Sequence, residues 1–271
     1  MNVGLFTLPI APLVFLVSVV VALLAGWIFR KGHTDVDGAI FTSVFIALIV
    51  ARLSFAWRYL PAYKDDLWKI LDYRDQGFDS VPGLMAGACL VIFFAARRRA
   101  MRVPLLAAVI SGSFVWGGAT VAMGVVRSSG TIPVVSLLNM EGVRQPLSKG
   151  NGRPVVLNLW ATWCPPCQAE MPVLEEAQRN IRGIEIVFVN QGETREVVDA
   201  YLHSRGIGIK NAFLDPQLTV AKAVAARAYP TTLFYDAQGH LLSAHLGQFS
   251  RATFMQAMEQ FYPDIAASVA Q

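Results

Sequence analysis

The stretch Val155-Val-Leu-Asn-Leu-Trp160-Ala-Thr-Trp-Cys164-Pro-Pro-Cys167-Gln-Ala-Glu170-Met-Pro172 decides the reading of this 271-residue chain. Its first six residues are an apolar run that reads as a buried central strand. A helix is expected to follow from about Pro166 to Ile181, interrupted or kinked at Pro172, which lacks a donor and clashes with the preceding turn. A Cys-x-x-Cys pair where a strand turns into a helix puts Cys164 at the helix N-terminus. Unpaired backbone N–H groups there stabilise negative charge. Such a thiol is expected to titrate below its free value of about 8.5, and the thiolate is the attacking species. Cys167, one turn on, is placed to attack a mixed disulfide and release its partner. Pro165 and Pro166 stiffen the loop and remove two donors, so they tune reactivity. A zinc site wants four ligands. Here Cys-x-x-Cys supplies two, and His33, His203, His240 and His245 are scattered without paired spacing. No metal is therefore expected. A purely structural bridge over four residues would constrain little chain. Redox exchange is the reading that uses these residues.

Around this core, strands alternate with helices. An opening strand is expected at Ile132–Leu138, then a Gly142 turn, a strand at Ile184–Asn190 and a helix at Glu196–Arg205. A short strand at Ala212–Leu214 and a helix at Gln217–Arg227 follow. Thr231–Tyr235 and Leu241–Leu246 flank Asp236-Ala-Gln-Gly239 as a hairpin. Ser250–Phe261 closes the series, with Ser250 as a helix N-cap. This order implies a mixed sheet covered on both faces.

Trp-Ala-Thr-Trp-Cys-Pro-Pro-Cys (160–167), Glu170-Met171-Pro172 and Tyr229-Pro230-Thr231-Thr232 together resemble the membrane-anchored, TlpA-like thioredoxin-family disulfide reductases, which include the ResA and cytochrome c maturation members. The likeness covers about residues 130–263. It implies a thioredoxin fold, Cys164 as nucleophile and Cys167 as resolving thiol. Glu170 matches the acidic residue that handles the proton of the second cysteine, and Pro230 matches the family's cis-proline. A cis X–Pro bond is a minority state, ~5–6% in folded proteins. In this fold it lies opposite the cysteines and presents the backbone of Tyr229 to a substrate strand. Trp163, Pro165, Pro166, Tyr229, Pro230 and Thr231 are thus the expected substrate-binding residues. Trp160 is assigned to packing. The redox-active disulfide Cys164–Cys167 is the only cofactor-like group expected.

The other half of the chain differs in kind. Overall, 54% of residues are hydrophobic and 15% charged, with mean hydropathy +0.45, against about 25% charged in soluble domains. Residues 1–127 hold 12 Lys/Arg and 7 Asp/Glu, and residues 128–271 hold 11 and 12. The positive excess is confined to the apolar half, which argues against nucleic-acid binding. Leu5–Phe29, Ala39–Trp57, Val81–Ala96 and Val103–Val126 are the expected spans, since a crossing needs ~20 apolar residues. The first lacks a positive n-region and is long for a signal peptide, so it is read as retained. Arg30 and Lys31 mark one cytoplasmic loop; Arg97, Arg98, Arg99 and Arg102 mark another. The loop Arg58–Ser80 and both termini then face outward. Residues 1–127 form a transmembrane domain, 128–131 a linker, 132–263 the thioredoxin-like domain and 264–271 a C-terminal tail. Such a protein sits in a bacterial inner membrane with its thiol domain in the periplasm, where disulfides persist.

Leu8-Pro-Ile-Ala-Pro12, Ala51-Arg-Leu-Ser-Phe55 and Ser80-Val-Pro-Gly-Leu-Met-Ala-Gly87 resemble the N-terminal part of prolipoprotein diacylglyceryl transferase. In that family a catalytic histidine stands where this chain has Pro82, and Leu84 replaces a glycine. A lipid- or partner-binding module is the reading that survives. Arg52, the one charge inside a span, is a functional candidate on that ground, though its nearness to Trp57 favours snorkelling to the outer interface. Cys89 reads as a small apolar residue.

The expected function is thiol:disulfide exchange, in the reducing direction, on protein disulfides. Electrons would come from a membrane thiol transporter, because the spans hold one cysteine and not a relay pair. A disulfide oxidase or isomerase is the neighbouring alternative. A copper-handling chaperone and a degenerate transferase-like lipid-binding module are alternatives of other classes.

Overall fold

The computed structural model describes residues 10–30, 34–64, 66–127, 130–147 and 152–269. They divide into a helical unit up to residue 125 and an α/β unit from residue 126 onward.

The helical unit contains α1 (Ile10–Phe29), α2 (Val36–Arg58), α3 (Ser80–Arg97) and α4 (Arg102–Arg127). All four are long and apolar enough to cross a membrane. The first expected span began at Leu5, and residues 5–9 lie outside the described ones. α2 starts at Val36, three residues before the expected Ala39. Asp35 caps it by accepting from the Gly38 N–H at 2.9 Å, so a polar cap and not hydropathy sets its start. α2 and α3 approach closely at Gly83, where a Cβ would lie 2.7 Å from that of Ala51. A cavity of about 300 Å³ opens beside the start of α2 and the end of α3, lined in part by Asp35, Thr42, Phe93, Arg97 and Met101.

Arg52 points into the 59–79 connection, and there it finds protein partners. It donates to the carbonyls of Lys69, Ile70, Asp72 and Gly77 and to Asp75 Oδ1, at 2.7–3.2 Å. Asp75 is buried and also accepts from the Gly77 N–H. The rings of Phe55 and Phe78 each lie 5.8 Å from the guanidinium carbon. The 59–79 connection, built of short 3₁₀ turns, folds around this cation. A run of turns leaves carbonyls without ladder partners, and a five-donor fork satisfies them.

The α/β unit is built on a seven-stranded mixed sheet. Its strands are β1 (Ser136–Asn139), β2 (Arg144–Pro146), β3 (Val155–Trp160), β4 (Glu185–Gln191), β5 (Ala212–Asp215), β6 (Thr231–Tyr235) and β7 (Leu241–Leu246). Their spatial order is β2-β1-β5-β4-β3-β6-β7. β3 pairs in parallel with β4, and β4 with β5; β6 runs antiparallel to β3. All six β3 residues are buried. Leu157 and Leu159 join one apolar cluster with Val220 and Ala221. Val156 and Trp160 join the other, with Met171, Leu174, Val198 and Phe254. Successive side chains point to opposite faces of a strand, so a strand buried at every position requires cover on both. The helices supplying it are α5 (Pro165–Asn180), α6 (Arg195–Arg205), α7 (Thr219–Ala223), α8 (Arg251–Phe261) and α9 (Pro263–Val269).

Several boundaries differ from expectation. The opening strand begins at Ser136, not Ile132. β2 carries no hydrophobic alternation (Arg-Gln-Pro) and escaped notice. The 217–227 helix contracts to Thr219–Ala223 because Leu218 and Ala225 both adopt positive φ, which a helix cannot carry. α5 begins at Pro165 and runs through Pro172 to Asn180 as one helix. The 128–131 linker is shorter than drawn: the Gly130 carbonyl accepts from Leu241 N–H, and Thr131 bridges to His240. Residues 128 and 129 lie outside the described ones. The expected tail at 264–271 is also corrected, since α9 packs Ile265 and Ala266 against the core. Before it, the Tyr262 hydroxyl donates to the Tyr235 carbonyl at 2.9 Å, tying this end of the chain to the sheet.

Candidate active site

The site forms where β3 ends. Cys164 has extended backbone angles and caps α5, whose first two positions are Pro165 and Pro166. Neither proline has an N–H, so the first donor the helix offers is that of Cys167. It points at Cys164 Sγ, 3.3 Å away. The two sulfurs are joined as a disulfide. Cys164 is 3% exposed and Cys167 0%.

The loop before Cys164 is held from two sides. Glu193 accepts from the backbone N–H of Thr162 at 2.7 Å and from its hydroxyl. Gln168 Nε2 donates to the Thr162 carbonyl at 2.6 Å. Asn190 on β4 donates to Glu193 at 2.7 Å. With Thr162 pinned on both backbone groups, the turn into α5 has little freedom.

Glu170 lies three residues beyond Cys167 on α5, hence on the same face. It is wholly buried. Asn158 Nδ2 donates to its Oε1 at 2.7 Å, and the Phe249 N–H to its Oε2 at 3.1 Å. Burial pushes its carboxyl up to about 8, against the smaller opposing pull of those two donors. Desolvation disfavours the charged form of any carboxylate. A carboxyl in this range exchanges its proton near neutral pH.

The opposite wall is the segment before β6. The Tyr229–Pro230 peptide is cis, and the Thr231 hydroxyl donates back to the Ala228 carbonyl at 2.7 Å. Tyr229 is half-buried, and its ring meets Trp163 edge-on at 6.3 Å. Trp163 is 65% exposed whereas Trp160 is buried. An exposed indole beside a buried disulfide provides apolar contact area for a visiting chain.

The structure therefore brings Trp163, Cys164, Pro165, Pro166 and Cys167 together around the disulfide, with Glu170 on the same helix and Tyr229 against Trp163. Asn158, Glu193, Gln168 and the Phe249 N–H were missed. Asn158 was visible as a polar residue inside an apolar strand. Glu193 and Phe249 reach the site only through tertiary contact. Among the described residues no group of three or more His, Cys, Asp or Glu side chains is arranged to hold a metal.

An AhpC/TSA family model matches residues 130–244. The ResA thiol-disulfide oxidoreductase of Geobacillus kaustophilus is 30% identical over 171 residues, covering 61% of this chain and 95% of that protein. ResA of Halalkalibacterium halodurans is 31% identical over 130 residues, 47% of this chain and 73% of the relative. A DsbE-type thiol:disulfide interchange protein from Chlorobium tepidum, solved by crystallography, superposes with TM-score 0.46 at 23% identity. That match covers 51% of this chain and 97% of the other. The α/β unit is a thioredoxin-like domain, and the chain is a thiol:disulfide oxidoreductase. It belongs to the family of ResA-like thiol-disulfide oxidoreductases.

Proposed function

We propose that the protein is a membrane-anchored reductase of protein disulfides, working through Cys164 and Cys167 on the outer face of a bacterial inner membrane. The observation that carries this reading is a wholly buried carboxyl, Glu170, one turn from the buried sulfur of Cys167. Starting from the reduced pair, the Cys164 thiolate attacks a substrate disulfide. One substrate sulfur leaves as a thiolate, and Cys164 is left in a mixed disulfide. Glu170 takes the proton of Cys167, whose thiolate then attacks Cys164 Sγ. The second substrate thiolate leaves and the Cys164–Cys167 disulfide forms. Two electrons have passed to the substrate; a membrane-borne dithiol carrier returns them, and Glu170 hands its proton back. Trp163, Pro165, Pro166, Tyr229, Pro230 and Thr231 seat the substrate strand. The four apolar helices anchor the domain in the bilayer, both termini outward. The redox-active disulfide is the only redox group required.

The test is thiol trapping in growing cells with Cys89→Ala in the background. A mostly reduced Cys164/Cys167 pair supports the reducing direction, whereas a mostly oxidised pair reverses it to an oxidase or isomerase. Cys167→Ser is expected to trap substrates as mixed disulfides, and trapping nothing counts against the exchange mechanism. Reporter fusions at residue 127 test the outward placement.

A further inference from the structure

Asn158 is a buried polar residue in the middle of an apolar strand. Its position is set by the sheet: in the β3–β6 ladder it stands opposite Thr232, and it shares the face of Val156 and Trp160, which face α5. Its Nδ2 has two hydrogens and two acceptors, Glu170 Oε1 at 2.7 Å and Thr232 Oγ1 at 3.0 Å. Its Oδ1, buried beside them, has no partner. A stranded buried acceptor carries a cost and calls for a reason.

The chemistry of the three groups supplies one. An ionised carboxylate only accepts, so it needs the amide's N–H. A protonated carboxyl presents an O–H, which needs an acceptor. Turning the Asn158 amide by half a turn exchanges Nδ2 for Oδ1 at the same place. The Thr232 hydroxyl can donate as well as accept, so it can follow that turn.

We propose that Asn158 is the positioning residue for Glu170. Its amide, anchored by Thr232, holds the carboxyl one turn from Cys167, donating to it when ionised and accepting from it when protonated. Glu170 can then gain and lose a proton inside the core while keeping a hydrogen-bond partner in both states. The other titratable groups on the surrounding elements are Cys164, which caps α5, Cys167, Glu175, Glu176 and Arg179 on α5, Tyr235 on β6 and His245 on β7. His245 stands opposite Thr232 and stacks on Phe249 with ring centroids 4.2 Å apart. No charged side chain contributes to the Glu170 shift. The inference rests on the proposed proton-handling role of Glu170 only for its functional meaning.

The experiment is an infrared titration of the Glu170 carboxyl in the oxidised full-length chain in detergent micelles, with Glu170→Gln assigning the band. The wild-type midpoint is expected near pH 8. Asn158→Leu, which removes the donor, is expected to raise it by about one to two pH units. Thr232→Val leaves the amide unanchored and is expected to raise it less, whereas Thr232→Ser restores the hydroxyl and the wild-type midpoint. An unchanged midpoint in Asn158→Leu overturns the proposal. Should that variant fail to fold, an unchanged midpoint in Thr232→Val does so. The pH profile of disulfide exchange by the reduced chain is measured alongside. A profile unaltered by Glu170→Gln, with the infrared midpoint still moved by Asn158→Leu, refutes the proton-handling role of Glu170 and leaves the positioning role standing.

Discussion

Glu193 closes on Thr162 with both carboxylate oxygens, one meeting the backbone N–H and the other the hydroxyl. Charge-assisted hydrogen bonds are about twice as strong as neutral ones, and these fix the residue two positions before Cys164. Glu193→Ala is expected to destabilise the α/β unit by about 1–3 kcal/mol, because Thr162 and Asn190 lose their shared acceptor. The exchange rate should fall as the turn loosens. Hydrogen exchange of the Thr162 amide checks the first effect, and a model-disulfide assay checks the second.

Glu170 links stability to pH. Its folded carboxyl titrates at about 8 against 4.5 in the unfolded chain, so between those values the folded state holds the extra proton. Stability from this group is fully present below pH 4.5 and is lost as pH rises toward 8. The loss is roughly 3 kcal/mol by pH 7. Glu170→Gln, neutral at every pH, is expected to flatten that dependence. Hydrogen exchange of β3 and β6 amides in the full chain between pH 5 and 8 measures it. A wild-type slope retained in the variant would exclude Glu170 as the source.

Arg52 and Asp75 form a pair with side chains 12% and 3% exposed. Removing one partner of such a pair leaves a buried charge, at a cost of about 3–5 kcal/mol. Arg52→Ala is expected to melt the 59–79 connection and lower the thermal midpoint of the micelle-embedded protein. The Arg52→Ala/Asp75→Asn double variant should lose less than the summed single effects. Strict additivity would show that the carbonyl contacts, and not the ion pair, hold the connection.

Trp163 gives the opposite signature. Its exposed ring contributes little to packing, so Trp163→Ala should change stability by no more than about 0.5 kcal/mol. Exchange with a protein disulfide should slow markedly, while exchange with a small disulfide should change little. Equal losses on both substrates would place the ring's effect on the cysteines themselves.

How much of this was readable in the sequence differs from residue to residue. Cys164, Cys167 and the strand before them were legible because strand, turn and helix signals coincide within 18 residues. The α7 boundary was not, since Leu218 and Ala225 adopt backbone angles that no local pattern of apolar residues announces. Arg52 stands out in the sequence as a charge inside a span, but its partners do not: its acceptors include carbonyls 17 to 25 residues away, supplied by a loop that exists only once folded. Glu193 and Phe249 reach the site across the sheet for the same reason. Asn158 lay inside the stretch that decided the fold, yet its meaning required the register that sets it against Thr232.

The burial of the disulfide carries one further consequence. Cys167 has no surface open to solvent, and Cys164 shows only a sliver. Small thiols diffusing past can touch one of the two cysteines at most. The couple is insulated, much as a wire is sheathed, with its one bare point at Cys164. That sheath guards the couple against short circuits.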